Sequence, residues 1–123
     1  HAAAARYADA VRPALTEPGL VLLGMGDDGH TASLFPGTEA LAVTDQSYVA
    51  NWVEAKNDWR LTATLPLLWS AAHVVFLVTG AAKAAVLADV LAGADYPAGR
   101  VGRGATRTTW LLDDAAASAI PRS

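Results

Sequence analysis

His30 is the residue that its sequence neighbours best equip for chemistry. It closes the stretch Gly24-Met25-Gly26-Asp27-Asp28-Gly29-His30, where one imidazole follows two carboxylates and three glycines. An imidazole titrates near neutral pH and can take a proton from water. A carboxylate beside it, Asp27 or Asp28, can orient the ring and stabilise its cationic form. Glycines at 24, 26 and 29 let the backbone turn sharply and let a small molecule come close to it. Two other chemistries compete for the same residues. Gly24 to Gly29 fits the G-x-G-x-x-G pattern of dinucleotide-binding loops, with Asp45 near the distance of a ribose-binding acid. That motif needs a full crossover helix behind its third glycine, but Pro36-Gly37 leaves only His30 to Phe35, and Asp27 and Asp28 would face a doubly charged pyrophosphate. A metal site would require Asp27, Asp28 and His30 to converge from one tight loop, with the other histidines, His1 and His73, distant in sequence. The pattern favours a general base with an acid partner.

Lys83 is the second candidate. It falls in the first turn of an expected helix, where the helix dipole opposes a cation. Two readings stay open from position alone: a solvated lysine that tolerates the dipole, or an ammonium that shares an anion with the free amides of that terminus. Arg60 begins an expected strand after a polar loop, and Arg100, Arg103 and Arg107 read as solvated loop residues. Ser33 reads as a helix-surface serine. Trp52, Trp59, Trp69 and Trp110 are expected in the core or at its edges.

Elements of two kinds must hold these residues. The spacing of Tyr7, Val11, Ala14 and Leu15 predicts a helix over 2–15, stopped by Pro18-Gly19. The apolar run 20–23 reads as a buried parallel strand, which puts His30 just past a strand end. A short helical piece is expected over 31–35. Residues 48–53 and 60–64 have strand composition, with Glu54 to Asp58 as a hairpin loop. Pro66 opens a short helix running to Ala72. Residues 74–78 are the clearest buried strand, and a helix over 81–92 follows, with Val86, Leu87, Val90 and Leu91 on one face. A Pro/Gly/Arg-rich loop over 97–107 leads to a strand at 108–112 and a short alanine-rich helix. Strands alternating with helices predict an α/β fold, a Rossmann-like and mainly parallel sheet flanked by helices.

The bulk composition agrees. With 123 residues, 53% apolar and 17% charged, the chain reads as a single α/β domain over 1–123 rather than a disordered segment. A net charge of −3 supplies no footprint for nucleic acid or an anionic membrane. Without cysteine there is no disulfide framework or thiol nucleophile, and the chain suits a reducing, cytoplasmic setting. No apolar run reaches the ~18 residues that span a bilayer.

The stretch "LVLLGMGDDGHTASLFPG", 20–37, closely resembles the signature of the 6-phosphogluconolactonases, in the superfamily that includes glucosamine-6-phosphate deaminases. The resemblance continues through "RLTATLPLLWSAAHVVFLVTGAAKAAVL" at 60–87 and "RTTWLLDDAAAS" at 107–118, in order along nearly the whole chain. After His30, "TASLFP" follows the lactonase branch; the deaminase branch continues with a segment containing Asn-Glu-Pro. The resemblance implies hydrolysis of 6-phospho-D-glucono-1,5-lactone to 6-phosphogluconate in the pentose phosphate pathway, without metal or organic cofactor. It implies His30 as the general base, Asp28 as the acid beside it, and Lys83 as a holder of the substrate phosphate. Arg60 would lie near the site, and Gly26 and Gly29 would shape the substrate-binding loop. Family members are about twice this length, and their N-terminal half carries a Gly-Gly-(Ser/Thr)-(Thr/Val)-Pro type phosphate loop. That loop is absent here, so the chain is expected to be the C-terminal half, to pair with the missing half of the same protein, and to be weakly active or inactive without it. A deaminase-like enzyme and a non-catalytic sugar-phosphate-binding domain are the alternatives.

Overall fold

The computed structural model describes residues 1–11 and 19–121. Its elements run α1 (Ala2–Val11), β1 (Leu20–Leu23), β2 (Tyr48–Val53), β3 (Asp58–Ala63), α2 (Leu65–Trp69), β4 (His73–Val78), α3 (Ala84–Leu91), α4 (Pro97–Gly104) and β5 (Thr108–Leu112), with short 3-10 turns at Glu39–Ala42, Glu54–Lys56 and Ala81–Lys83. Strands β1, β4 and β5 form a parallel sheet in the order β1-β4-β5, with Leu22 beside Val75 and Phe76 beside Trp110. β2 and β3 form a separate antiparallel hairpin. This is the expected α/β architecture with a mainly parallel sheet.

Alternation sorts the strands. Val74, Phe76 and Val78 of β4 point into the core, where Phe76 is fully buried and stacks on Trp110 at 4.1 Å. Leu65 and Leu68 of α2, Val86, Leu87 and Val90 of α3, and Ala98 and Val101 of α4 cover that face in one cluster. Each fully buried large side chain there, such as Leu87 or Phe76, contributes about 1.5–3 kcal/mol of transfer free energy. Thr64 caps α2, its hydroxyl accepting from the Leu67 amide at 3.5 Å, and Pro66 sits in the first turn.

Several expectations are corrected. Residues 97–104, expected as loop, are helix: Pro97 starts it, and its glycines let it lie against tryptophans, since a Cβ at Gly104 would fall 2.2 Å from the Trp69 indole nitrogen. The piece at 31–35 is not helical; Ala32 has φ 51° and Thr31 bridges to Leu34. Ser33 is therefore not on a helix surface: its amide donates to Thr62 Oγ1 and its carbonyl accepts from Asn51. The alanine-rich segment after β5 forms turns, not a helix. In α1 the buried residues are Ala4 and Ala8, while Tyr7 stays half exposed, edge-on to Tyr48. The expected continuation through Ala14 and Leu15 to Pro18 lies outside the described residues. The helix from Pro66 stops at Trp69 rather than Ala72, and Leu91 is exposed. Trp52 and Trp59 stack edge-on to each other on the open face of the hairpin instead of entering the core.

Candidate active site

The loops that follow β1, β4 and β5 leave the carboxyl edge of the parallel sheet, where open α/β sheets form their sites. The first holds His30. After Leu23 the chain folds on itself: the Gly26 amide donates to the His30 carbonyl at 2.9 Å, and the Gly29 amide to the Gly26 carbonyl at 3.0 Å. Both glycine amides are thus used inside the loop, and what these glycines supply is room. A Cβ on Gly26 would stand 2.1 Å from the His30 ring, and one on Gly29, at φ +81°, would stand 2.4 Å from the Tyr96 ring. Thr31, buried, ties the loop back to the strand end by donating to the Gly24 carbonyl at 2.7 Å.

Within this turn Asp28, not Asp27, meets the imidazole. Asp28 Oδ1 lies 2.5 Å from His30 Nδ1 and also accepts the His30 backbone N–H at 3.0 Å. Partial burial pushes the Asp28 carboxyl up, but the hydrogen bonds from the His30 amide and ring and the charge of the ring outweigh it, so its pKa falls below the ordinary 3.8. An ionised carboxylate only accepts, so Nδ1 carries the proton and the lone pair of the neutral ring sits on Nε2. The ring lies on Phe35, centroids 4.2 Å apart and planes 21° apart, which fixes its tilt. The arrangement sets an imidazole against an ionised carboxylate and leaves Nε2 unused by that pair.

The second loop brings a cation to the first. Gly80, at φ +95°, turns the chain out of β4, and its carbonyl accepts from the Lys83 amide. The Lys83 ammonium donates to the Met25 carbonyl, inside the His30 loop. The third loop locks the second: both carboxylate oxygens of Asp113 accept from the Gly80 amide, at 3.1 and 3.2 Å, and Oδ1 also accepts from the Ala116 amide.

His30, Asp28, Gly26, Gly29 and Lys83 therefore come together. Arg60 is not brought into contact with them; its ion partner is Asp58, at 3.6 Å. It does share a hairpin face with Asn51 and Thr62, the residues that hold Ser33, so it faces the segment that follows His30. Arg100, expected in a loop, sits on α4 paired with Asp95. Phe35, Thr31, Tyr96 and Asp113 support the site without having been singled out in the sequence. Only Thr31 and Phe35 carried a signal, by following His30 closely. Among the described residues no group of three or more His, Asp or Glu side chains is placed to hold a metal ion, and no helix is long and apolar enough to cross a membrane.

Known proteins resemble this chain in sequence and in fold. Residues 1–110 match the family described as glucosamine-6-phosphate isomerases/6-phosphogluconolactonase. A 6-phosphogluconolactonase of Synechocystis is 48% identical over 101 residues, covering 79% of this chain and 41% of that protein. 6-phosphogluconolactonase 4 of Saccharomyces cerevisiae is 41% identical over 112 residues, covering 85% and 44%. The crystal structure of 6-phosphogluconolactonase from Leishmania guyanensis superposes with a TM-score of 0.84 at 28% identity, covering 98% of this chain and 53% of that one. A monomeric glucosamine-6-phosphate deaminase, 24% identical with a TM-score of 0.77, shares the fold. The chain spans less than half the length of the Synechocystis and yeast relatives. By the extent of the family match and the shared fold, the chain belongs to the glucosamine-6-phosphate isomerase/6-phosphogluconolactonase family.

Proposed function

We propose that this chain carries the catalytic base and part of the phosphate site of a 6-phosphogluconolactonase. The observation that carries the reading is the His30–Asp28 pair, with Nε2 left as the basic nitrogen at the carboxyl end of β1. In the proposed reaction Nε2 takes a proton from water as its oxygen attacks C1 of the lactone. Asp28 stabilises the imidazolium that results. The tetrahedral intermediate then expels the ring oxygen, breaking the C1–O bond, and the imidazolium returns its proton to that oxygen. Water is consumed, a carboxylic acid and a hydroxyl form, and no electrons change hands. Lys83, drawn to the same loop, attracts the 6-phosphate and sets the distance between phosphate and C1.

The activity for which the relatives are named and the "TASLFP" segment after His30 support the lactone over the amino sugar. The protein completed to family length with the N-terminal segment of the Synechocystis relative is the form to assay. It should accelerate 6-phosphogluconolactone hydrolysis above the spontaneous rate and release no ammonia from glucosamine 6-phosphate. Ammonia release without lactone hydrolysis would overturn the reading in favour of a deaminase.

A further inference from the structure

The rings of His30 and Phe35 lie face to face, centroids 4.2 Å apart and planes 21° apart. The chain between them is bent to bring this about. Ala32 takes a left-handed φ of 51°, Thr31 bridges to Leu34, and Leu34 is fully buried. Alanine disfavours that backbone region, so the bend is held by its surroundings. Asn51 is the holder. It is buried, donates to the Ser33 carbonyl and to Thr38 Oγ1, and accepts from the Ala40 amide. Thr38 in turn donates to the Phe35 carbonyl through both its amide and its hydroxyl. Phe35 is therefore fixed from behind.

Its ring is buried without filling the core. Phe35 is 6% exposed, yet among the described residues the apolar cluster of the core does not include it, whereas its neighbour Leu34 belongs to that cluster. Its face is given to the imidazole instead. The face of a benzene ring carries negative potential and its edge positive. A neutral imidazole gains ordinary stacking from that face. An imidazolium gains in addition the attraction of a cation to the ring quadrupole, which acts within about 6 Å of the centroid and is larger where water is excluded. His30 is thus met from three directions: Asp28 accepts at Nδ1, Gly26, lacking a Cβ, lies against Nδ1 and Cε1, and Phe35 covers one face.

We propose that Phe35 is a positioning residue of the reaction, whose π-face stabilises the imidazolium that His30 becomes on taking the proton of water. The proton moves from the water oxygen to Nε2, and no bond forms to Phe35. The attraction is stronger after this transfer than before it, so it lowers the barrier rather than tightening the binding of the lactone. The role rests on His30 as the general base, as proposed above, and the two can fail separately.

The test replaces Phe35, in the family-length protein, with mono-, di- and trifluorophenylalanine. These keep the outline of the ring while drawing electron density from its face step by step. Turnover of the phospholactone is measured on the pH-independent plateau, so that the protonated fraction of the free protein does not enter. kcat should fall stepwise, by about 3–30-fold over the series, with KM and the affinity for 6-phosphogluconate unchanged. Phe35→Leu, which has no π-face, should fall at least as far. The near-ultraviolet spectrum checks that each variant is folded. A ring that only packs predicts a level kcat across the fluorinated series with loss in Phe35→Leu alone. That result, with turnover still abolished by His30→Ala, would overturn the role of Phe35 and leave the general base standing. Undiminished turnover in His30→Ala would overturn both.

Discussion

The direction of the His30–Asp28 hydrogen bond decides what His30 can do. Asp28 only accepts, so it selects the tautomer that leaves Nε2 basic. Asp28→Asn can present its amide N–H to Nδ1 and select the opposite tautomer. The account predicts a fall in kcat of about 10²–10⁴-fold with little change in KM, measured on the family-length protein by the acid released from the lactone. The same pair sets an acid limit on stability. The folded pKa of Asp28 is depressed, so its contribution is complete above the ordinary carboxyl value of 3.8 and is lost as pH falls through the lower folded value. The difference in Tm between the parent and Asp28→Asn should close as pH falls below about 4. It will be small, because the Asp28 side chain is 44% exposed and solvent screens the pair. Gly26→Ala attacks the site sterically. Its Cβ has no place unless the His30 ring moves, so hydrolysis should drop steeply, while the apolar core and the near-ultraviolet spectrum of Trp110 should be little changed. Of these relations the sequence displayed the ingredients, a histidine among acids and glycines. It could not choose between Asp27 and Asp28, because the choice depends on a backbone turn closed by two loop hydrogen bonds.

Strands were legible as short runs rich in apolar, β-branched and aromatic residues: β1, β4, β5 and the β2–β3 hairpin all lie within two residues of expectation. α4 was not, because Pro97, Gly99, Gly102 and Gly104 are weak helix formers in isolation. Tertiary packing overrides that weakness. Ala98 and Val101 are fully buried, and the glycines are the price of bringing the helix against Trp69 and Trp110. Gly104→Ala, normally favourable in a helix, is therefore predicted to destabilise, by about 1–3 kcal/mol in urea unfolding, because its Cβ overlaps the Trp69 indole. Between elements, Asp113 joins the loops after β4 and β5 by holding the Gly80 amide. Asp113→Ala should loosen the turn that carries Lys83 and raise KM for the phospholactone several-fold with a smaller change in kcat. Lys83→Ala should raise KM further. The tie from Asp113 to the Gly80 turn was invisible in sequence, since the two lie 33 residues apart.

At the scale of the whole molecule, the loops after β1, β4 and β5 share one edge of the sheet, and α2, α3 and α4 share one face. The resemblance carried by residues 20–37 named the reaction, and the alternation of strands with helices named the fold; the geometry brings His30, Asp28 and Lys83 to the same edge. The measurement that bears most directly on the account is the rate of 6-phosphogluconolactone hydrolysis by the family-length protein with His30 and with His30→Ala, at neutral pH and saturating lactone, corrected for spontaneous opening. General-base catalysis by Nε2 predicts a loss of at least about 10²-fold in kcat, with the fold and the affinity for 6-phosphogluconate retained. Undiminished turnover in the folded His30→Ala protein would contradict it.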